Sequence, residues 1–375
     1  MKVTLETRAL LKALDFLVIY ESDGRESTSQ VFFKFIGGNQ CQLFRNATSV
    51  YKASPIINCS CDHTSEKQHQ VNYDALYASI QKIAMRFKTV TLFIEPASNE
   101  LNIEAGRLKT RLKLSQIAEL EVNEDKIEPQ NEICVKTSEL DRIIKRAKVA
   151  SAQKDVRYVL NGVLITTDSD GVLRAVGCDG HRLSVAISEY LAHAYRERSL
   201  IISNSGVRYL ESVIKLCNEE RLVVHFDDTH LRVSLKNGSM LKVSLIEGLY
   251  PEWRKVIPLE TKTSILIERK EMIASILSAQ PLASKGYRTA TFNINKELTI
   301  KASSDVGEYI DVVENKEFHG EPLEINVNID YLLAALESIH TSDVKLEFVS
   351  SSIGFLVREV GEFSNGIQMI MPVRQ

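Results

Sequence analysis

Two short motifs recur in the same order three times along this chain, and that recurrence limits what it can fold into. The first reads Leu5-Glu-Thr-Arg-Ala-Leu-Leu-Lys-Ala-Leu14, returns as Val135-Lys-Thr-Ser-Glu-Leu-Asp-Arg-Ile-Ile144, and returns again as Ile267-Glu-Arg-Lys-Glu-Met-Ile-Ala-Ser-Ile276. Each copy reads as a strand end, a polar cap and then a helix. The second motif, Val71-Asn-Tyr-Asp-Ala-Leu in its first copy, follows as Ile202-Ser-Asn-Ser-Gly-Val and Val327-Asn-Ile-Asp-Tyr-Leu, at offsets of 66, 67 and 60 residues from the first motif. Each unit closes on strand-like runs such as Val90-Thr-Leu-Phe-Ile94, Leu222-Val-Val-His-Phe226 and Val344-Lys-Leu-Glu-Phe348. The period of about 130 residues lies far above that of a solenoid array. The chain is therefore a triplicated domain, and triplication is a way to build a curved or closed object.

Composition narrows the class. The 375 residues suit three domains of ordinary size, and 44% hydrophobic with 25% charged residues allow each a soluble core. No apolar run approaches the roughly 18 residues of a membrane span, and the opening Met1-Lys-Val-Thr-Leu-Glu lacks a signal-peptide apolar region, so a cytosolic location is expected. In a reducing compartment the six scattered cysteines (Cys41, Cys59, Cys61, Cys134, Cys178, Cys217) are expected to be free thiols. Cys59-Ser-Cys61-Asp-His63, with His69 nearby, has no second Cys/His pair to complete four zinc ligands, so a loop with two ordinary thiols is the preferred reading.

The helix opening the second unit is expected to start at Ser138 as N-cap, with Glu139 and Asp141 in its first turn. Leu140, Ile143, Ile144 and Ala147 then define a core face, and Arg142, Lys145 and Arg146 are expected to cluster opposite it. Comparable helices carry Lys82, Arg86 and Lys88, or Arg208 and Lys215. These basic faces recur in a chain with a net charge of -3 and a pI near 6.3. Proteins that grip nucleic acid broadly by charge are usually strongly basic, so positive charge here is confined to one surface.

Turn signals sit between alternating runs: Asp170-Gly171, Asp179-Gly180, Asp227-Asp228 and Asn237-Gly238. Each unit reads as antiparallel sheet plus two helices, and the fold class is α+β with three similar domains. Asp179 and His181 could in principle act as orienter and base of a hydrolase. No nucleophile elbow, Walker loop or metal pattern accompanies them, and a tight hairpin also asks for Asp-Gly.

Several stretches together carry a family resemblance. Asp179-Gly180-His181-Arg182-Leu183, Tyr250-Pro-Glu-Trp-Arg-Lys-Val-Ile-Pro258, Asp155-Val-Arg-Tyr-Val-Leu-Asn-Gly162, the opening Met1-Lys-Val-Thr-Leu-Glu and the ending Ile370-Met-Pro-Val-Arg-Gln375 resemble the bacterial DNA polymerase III beta subunits, the sliding clamps. The resemblance runs through nearly the whole chain in order. It implies clamp domains at 1–127, 128–252 and 253–375, and a head-to-tail homodimer that closes a six-domain ring with helices lining the hole. Such a ring encircles double-stranded DNA without reading sequence and confers processivity on the polymerase by topology. It is not an enzyme and needs no cofactor or metal. The rival is a paralogue that keeps the fold as a protein-interaction scaffold without encircling DNA.

The resemblance also implies site residues. A peptide groove for the DNA polymerase III alpha subunit, the clamp loader, other polymerases and repair proteins would comprise Leu160, Cys178, Gly180, His181, Arg182, Leu183, Pro251, Lys255, Val256, Met369, Ile370, Met371, Pro372, Val373 and Arg374. DNA contacts would come from Arg25, Arg142, Lys145, Arg146, Lys154 and Tyr158. The dimer interface would join Arg107, Leu108, Arg111 and Leu112 of one protomer to Ile273, Ile276 and Leu277 of the other, with Asp305 and Glu308 nearby. The family commonly has Thr at Cys178, Arg at Lys255, an apolar residue at Gln375 and an aromatic pair at Tyr158-Val159, which marks this chain as divergent.

Overall fold

All six strand-to-helix junctions expected from the repeated motifs are present. A computed structural model describes residues 2–19, 30–37, 39–61, 69–95, 99–115, 131–168, 170–191, 193–194, 198–284, 286–361 and 366–374. The first repeat runs β1 (Lys2–Glu6), α1 (Thr7–Phe16), β2 (Gln30–Gly37), β3 (Gln40–Ala47), β4 (Val50–Ala53), β5 (Ile57–Cys61), β6 (His69–Asn72), α2 (Tyr73–Ala84), β7 (Thr89–Glu95), β8 (Glu100–Ala105) and β9 (Leu108–Lys113). The second runs β10 (Glu132–Lys136), α3 (Thr137–Lys148), β11 (Gly162–Thr167), β12 (Val172–Cys178), β13 (Arg182–Leu191), β14 (His193–Ala194), β15 (Arg198–Ser203), α4 (Asn204–Leu216), β16 (Arg221–Phe226), β17 (His230–Ser234) and β18 (Met240–Ser244). The third runs β19 (Thr263–Glu268), α5 (Arg269–Ala279), β20 (Thr289–Ile294), β21 (Glu297–Ser304), β22 (Gly307–His319), β23 (Leu323–Asn328), α6 (Ile329–Glu337), β24 (Asp343–Phe348), β25 (Phe355–Glu359) and β26 (Gly366–Ile370).

Local chemistry explains the junctions. The Asn72 side chain accepts from the Ala75 amide at 2.9 Å, and Asn328 accepts from Tyr331 at 3.0 Å, so the two asparagines cap α2 and α6. The expected Ser138 cap is corrected: α3 begins at Thr137, two residues earlier than that cap implies, and Lys136 flanks it without a side-chain bond. Ser138, already helical, cannot act as the N-cap. Cys59 and Cys61 lie on strand β5 rather than in a loop. His63, Arg25 and Gln375 lie outside the described residues.

Two compact units emerge from the packing: Met1–Cys134 with Arg208–Leu245, and Val135–Val207 with Ile246–Gln375. In the first, an antiparallel path runs β16-β17-β18-β4-β3-β5-β1-β7-β8-β9. The β18·β4 seam pairs Met240 with Ala53 and Val243 with Val50, so the last strand of one repeat extends the sheet of another. Lys52 lies in this seam with only 1% of its surface exposed. Its amine donates to the Val18 carbonyl at 3.2 Å and lies 3.4 Å from Ser212 Oγ, between the rings of Phe16 and Tyr209.

In the second unit the path runs β15-β11-β12-β13-β26-β25-β24-β19-β22-β21-β20-β23. Its seam, β13·β26, pairs Arg182 with Ile370 and Val185 with Ile367. Leu183, Val185, Leu356 and Met369 are buried along it, each contributing roughly 1.5–3 kcal/mol relative to exposure. Helix α3 lies on β12 and β13 so closely that a Cβ at Gly177 would collide with the Ala147 carbonyl. A long-range seam of this kind leaves no periodic trace in sequence.

Candidate functional site

The β12–β13 hairpin is built by Asp179. Its Oδ1 accepts the amides of His181 and Arg182 at 2.9 and 3.0 Å, and its Oδ2 accepts Arg182 Nε at 2.9 Å. Gly180 turns at φ +91°, and a Cβ there would lie 2.8 Å from Arg157 Nη2. Arg157 in turn donates to Asp155 Oδ2 at 2.8 Å and to the Asp179 carbonyl at 3.2 Å. These hydrogen bonds from Arg157 push the Asp155 carboxyl down to about 2. Asp179 thus fixes backbone and Arg182 rather than orienting the His181 imidazole, which stacks on Tyr331 with centroids 6.5 Å apart. The geometry is that of a braced hairpin, not of an acid–base pair.

Around this hairpin the candidate groove residues fall into two groups. Leu160, Leu183 and Ile370 are buried and Met369 nearly so; they support the site rather than line it. Gly180, His181, Pro251, Lys255, Val256 and Arg374 are exposed, with Cys178, Arg182, Met371, Pro372 and Val373 between these extremes. The tail is held by two backbone bonds, from Met371 N–H to the His181 carbonyl at 2.8 Å and from Val373 N–H to the Asn326 carbonyl at 2.9 Å. Val159, Cys178, Tyr250, Ile257 and Met371 pack on one apolar cluster with Trp253. Burial pushes both the Cys178 thiol and the Tyr250 hydroxyl up, so neither ionises near neutrality. The sequence reading missed Tyr250, Trp253, Ile257, Arg157 and Tyr331. The first three sit inside the quoted Tyr250–Pro258 stretch; Tyr331 carries no local signal, because it meets Arg182 at 4.4 Å only through the fold.

The cationic face of α3 needs correction. Successive residues turn by about 100°, so Arg146 sits about 40° round from Arg142, on the flank of the core face rather than opposite it. Arg146 is 3% exposed, and its Nη1 lies 2.6 Å from Glu359 Oε2. Arg142 is mostly covered and donates to Glu139 at 2.9 Å and to the Ile187 carbonyl at 2.7 Å. Burial works to raise the Glu139 carboxyl, but bonds from Arg142 and the Glu189 amide outweigh it and hold the group low. Lys145 stays exposed beside Asp141 at 2.6 Å. Lys154 is exposed in the left-handed region at φ 59°, and Tyr158 nearby is also exposed. Lys82, Arg86, Lys88, Arg208 and Lys215 are all exposed.

Of the candidate interface residues, Leu108 and Leu112 are half-buried on β9, with Arg107 and Arg111 exposed. Ile276 is corrected: it is fully buried in the core of its own unit and has no surface to offer. Ile273 packs partly on that core, and Leu277 is exposed. Residues 307–314 of β22 pair with β21 on one side, and β19 joins only the later part of the strand. Val306, Ile310 and Val312 stand exposed along that stretch.

A family model described as the DNA polymerase III beta subunit, central domain, matches residues 134–252, and one for the C-terminal domain of the same subunit matches residues 254–374. The chain is similar to the beta sliding clamp of Vibrio cholerae, 27% identical over 290 residues, which is 77% of this chain and 71% of the relative. It is also similar to that of Haemophilus influenzae, 28% identical over 331 residues, covering 88% of this chain and 82% of the relative. Among solved structures, the DNA polymerase III subunit beta of Pseudomonas aeruginosa superposes with a TM-score of 0.89 at 24% identity over the whole of both chains. The beta subunit of Thermotoga maritima gives a TM-score of 0.88 at 22% identity, over 100% of this chain and 99% of that one. No helix among the described residues is long and apolar enough to cross a membrane.

Proposed function

The chain belongs to the DNA polymerase III beta subunit family, and on that premise we propose that it is a sliding clamp. Two copies close head to tail into a ring around duplex DNA, and the ring tethers the replicative polymerase without catalysing any step. The observation that carries this reading is the repeated seam. Twice, the last strand of a repeat pairs antiparallel with the strand that follows a turn in the preceding repeat: β18 with β4, and β26 with β13.

Applied once more, that rule leaves β9, the last strand of the first repeat, and residues 307–314 of β22 as the two unmatched partners. They belong on different copies, which is a heterologous interface of the kind that closes rings. Charge and surface support the match. Arg107, Lys109, Arg111 and Lys113 are exposed at β9, and Asp305, Glu308 and Glu314 are exposed at β22. Leu108 and Leu112 then meet Ile310 and Val312. On this reading each repeat is one clamp domain, 1–127, 128–252 and 253–375, the first boundary lying outside the described residues.

Duplex DNA is held by exposed cations, Lys145 and Lys154 foremost, through phosphates rather than bases. Arg146, being buried, is not among them. The polymerase's alpha subunit, the clamp loader and repair proteins dock aliphatic or aromatic anchors beside Val256, Met371 and the His181 hairpin. Two such anchors give roughly 3–6 kcal/mol gross, so partners exchange readily once ordering costs are met. The test is loader-dependent loading onto nicked circular DNA followed by linearisation. Retention on the circle and release from the linear form is expected; equal retention on both overturns the ring.

A further inference from the structure

Between β18 and β19, residues 247–261 carry Pro251, Lys255 and Val256. Among the described residues, the backbone hydrogen bonds of this segment stay inside it, from Trp253 N–H to the Pro251 carbonyl at 2.7 Å and from Lys255 N–H to the Glu252 carbonyl at 3.1 Å. No strand therefore sets where the segment lies, and its side chains must do so. Trp253 is one of them: at 9% exposed, it sinks into the apolar cluster with Leu183 and Met369. Burial of this kind is non-directional, so a turn held by one buried ring can still rock about it. Arg254 supplies a second contact, and this one has a direction. Its guanidinium lies 4.1 Å over the Trp253 ring, and its Nη2 donates to Asp168 Oδ2 at 2.6 Å, across 86 residues of sequence. Asp168 directly follows β11 and is itself fixed: its carbonyl accepts the Gly171 amide at 3.0 Å, and Arg174 Nη1 reaches the same Oδ2 at 3.1 Å. Arg174 is held in turn by Asp170 at 2.6 Å and by the Val172 carbonyl at 3.0 Å. Strand β12 runs from Val172 to Cys178, beside Asp179, so this ionic latch and the braced hairpin stand at the two ends of one strand.

We propose, taking the peptide groove as the docking site, that Arg254 is a positioning residue for it. Through Asp168 it sets the place of Pro251 and Val256 relative to the Asp179 hairpin, without itself touching the peptide. The side chains of Arg254 and Asp168 are 52% and 35% exposed, and ion pairs at that exposure add little to stability. What the pair adds is an angle: one bond from the segment to a fixed strand end removes the rocking that Trp253 allows. A wall already in place spares the peptide the cost of ordering it on arrival.

Calorimetric titration of the full-length protein tests this, with a synthetic peptide carrying Leu and Phe anchors two residues apart as the probe. Asp168→Asn and Arg254→Gln should each weaken binding on the order of three- to tenfold, while the melting temperature moves by about 2 °C or less. The double variant should be no weaker than the poorer single one, because both changes cut the same bond. Asp168→Glu, which keeps the carboxylate, should recover most of the affinity; a merely structural role would move the melting temperature and leave affinity alone. Wild-type affinity in both single variants, additive losses in the double one, or no recovery in Asp168→Glu overturns the proposal. The truncation lacking residues 371–375 tells the two levels apart. If it binds like wild type, or if wild type binds nothing, the groove reading falls and the role of Arg254 with it. If the truncation loses the peptide while the Asp168 and Arg254 variants keep it, the groove stands and the role of Arg254 falls.

Discussion

Arg146 on α3 and Glu359 on β25 form an ion pair 2.6 Å long, 213 residues apart in sequence and almost wholly out of solvent. Taking away one partner of such a pair strands a charge, at a cost of about 3–5 kcal/mol, whereas replacing both with apolar residues is near neutral. Arg146→Ala should therefore lose about that much in urea unfolding. Arg146→Met combined with Glu359→Leu should recover most of it. Equal losses in single and double variants would show that the pair does not act as a unit.

Lys52 gives the fold a pH dependence. Burial lowers its amine to about 7 from an ordinary 10.5, and nearby Arg45 adds to the effect. Above pH 10.5 the amine is neutral folded or unfolded, so burial costs nothing in charge. As pH falls toward 7 the unfolded chain takes up the proton first, and stability drops; below 7 the loss is complete. Stability should thus rise between pH 7 and 10, and Lys52→Met should flatten that rise and add on the order of a few kcal/mol at neutral pH. Parallel pH profiles for wild type and variant would remove Lys52 as the cause.

The proposed ring closes through β9. Leu112→Asp should bury an unpaired charge against the opposing strand and release monomers, as should Ile310→Asp on the other side. Sedimentation at micromolar protein reads the outcome directly. A wild type that is monomeric throughout would defeat the head-to-tail dimer.

The proposed docking wall joins the tail to the hairpin. Deleting residues 371–375 removes the Met371 and Val373 backbone bonds but touches neither β9 nor β22. The truncated protein should remain dimeric yet fail to bind a polymerase-derived peptide in calorimetric titration. His181→Ala with Arg182→Ala should weaken the peptide and lower the melting temperature by a few degrees, since the part-buried Arg182 loses its contact over Tyr331, worth about 0.5–1 kcal/mol, together with its bond to Asp179. Unchanged affinity in the truncation would move the groove elsewhere.

Contact with DNA is the least local prediction. Lys145→Ala with Lys154→Ala should lower affinity alike for all duplex sequences and reduce the salt slope by about one for each lost phosphate contact. Affinity measured across a salt series decides it, and an unaltered slope would mean that these lysines face water only.

Much of this was readable from periodicity. Asn72 and Asn328 announce their helices because a cap is a local bond three residues long, and the Asp-Gly and Asn-Gly turns mark hairpins for the same reason. Arg146 was misread because a 100° step places it on a flank, where a partner 213 residues away decides whether it is buried. Ile276 failed likewise: it follows the motif, but its burial depends on strands that pair only in the folded third repeat. The seams β18·β4 and β13·β26 have no sequence period at all, although the direction of the proposed ring is argued from them. The surroundings of the Asp179 hairpin were legible where a contiguous stretch carries them, and illegible where, as with Tyr331, one aromatic arrives from another element.

Trp253 is the chain's only tryptophan, and it lies beside the proposed groove, nearly buried, with the Arg254 guanidinium 4.1 Å over its ring and Met371 packed on the same cluster. Light absorbed at the red edge of the protein's ultraviolet band is therefore emitted from one known place. A peptide that settles between Val256 and Met371 alters the polarity around that indole, so its arrival has a colour and an intensity of its own. Partner exchange on the intact, unlabelled protein can be followed in real time by fluorescence, with no second emitter of that kind to subtract.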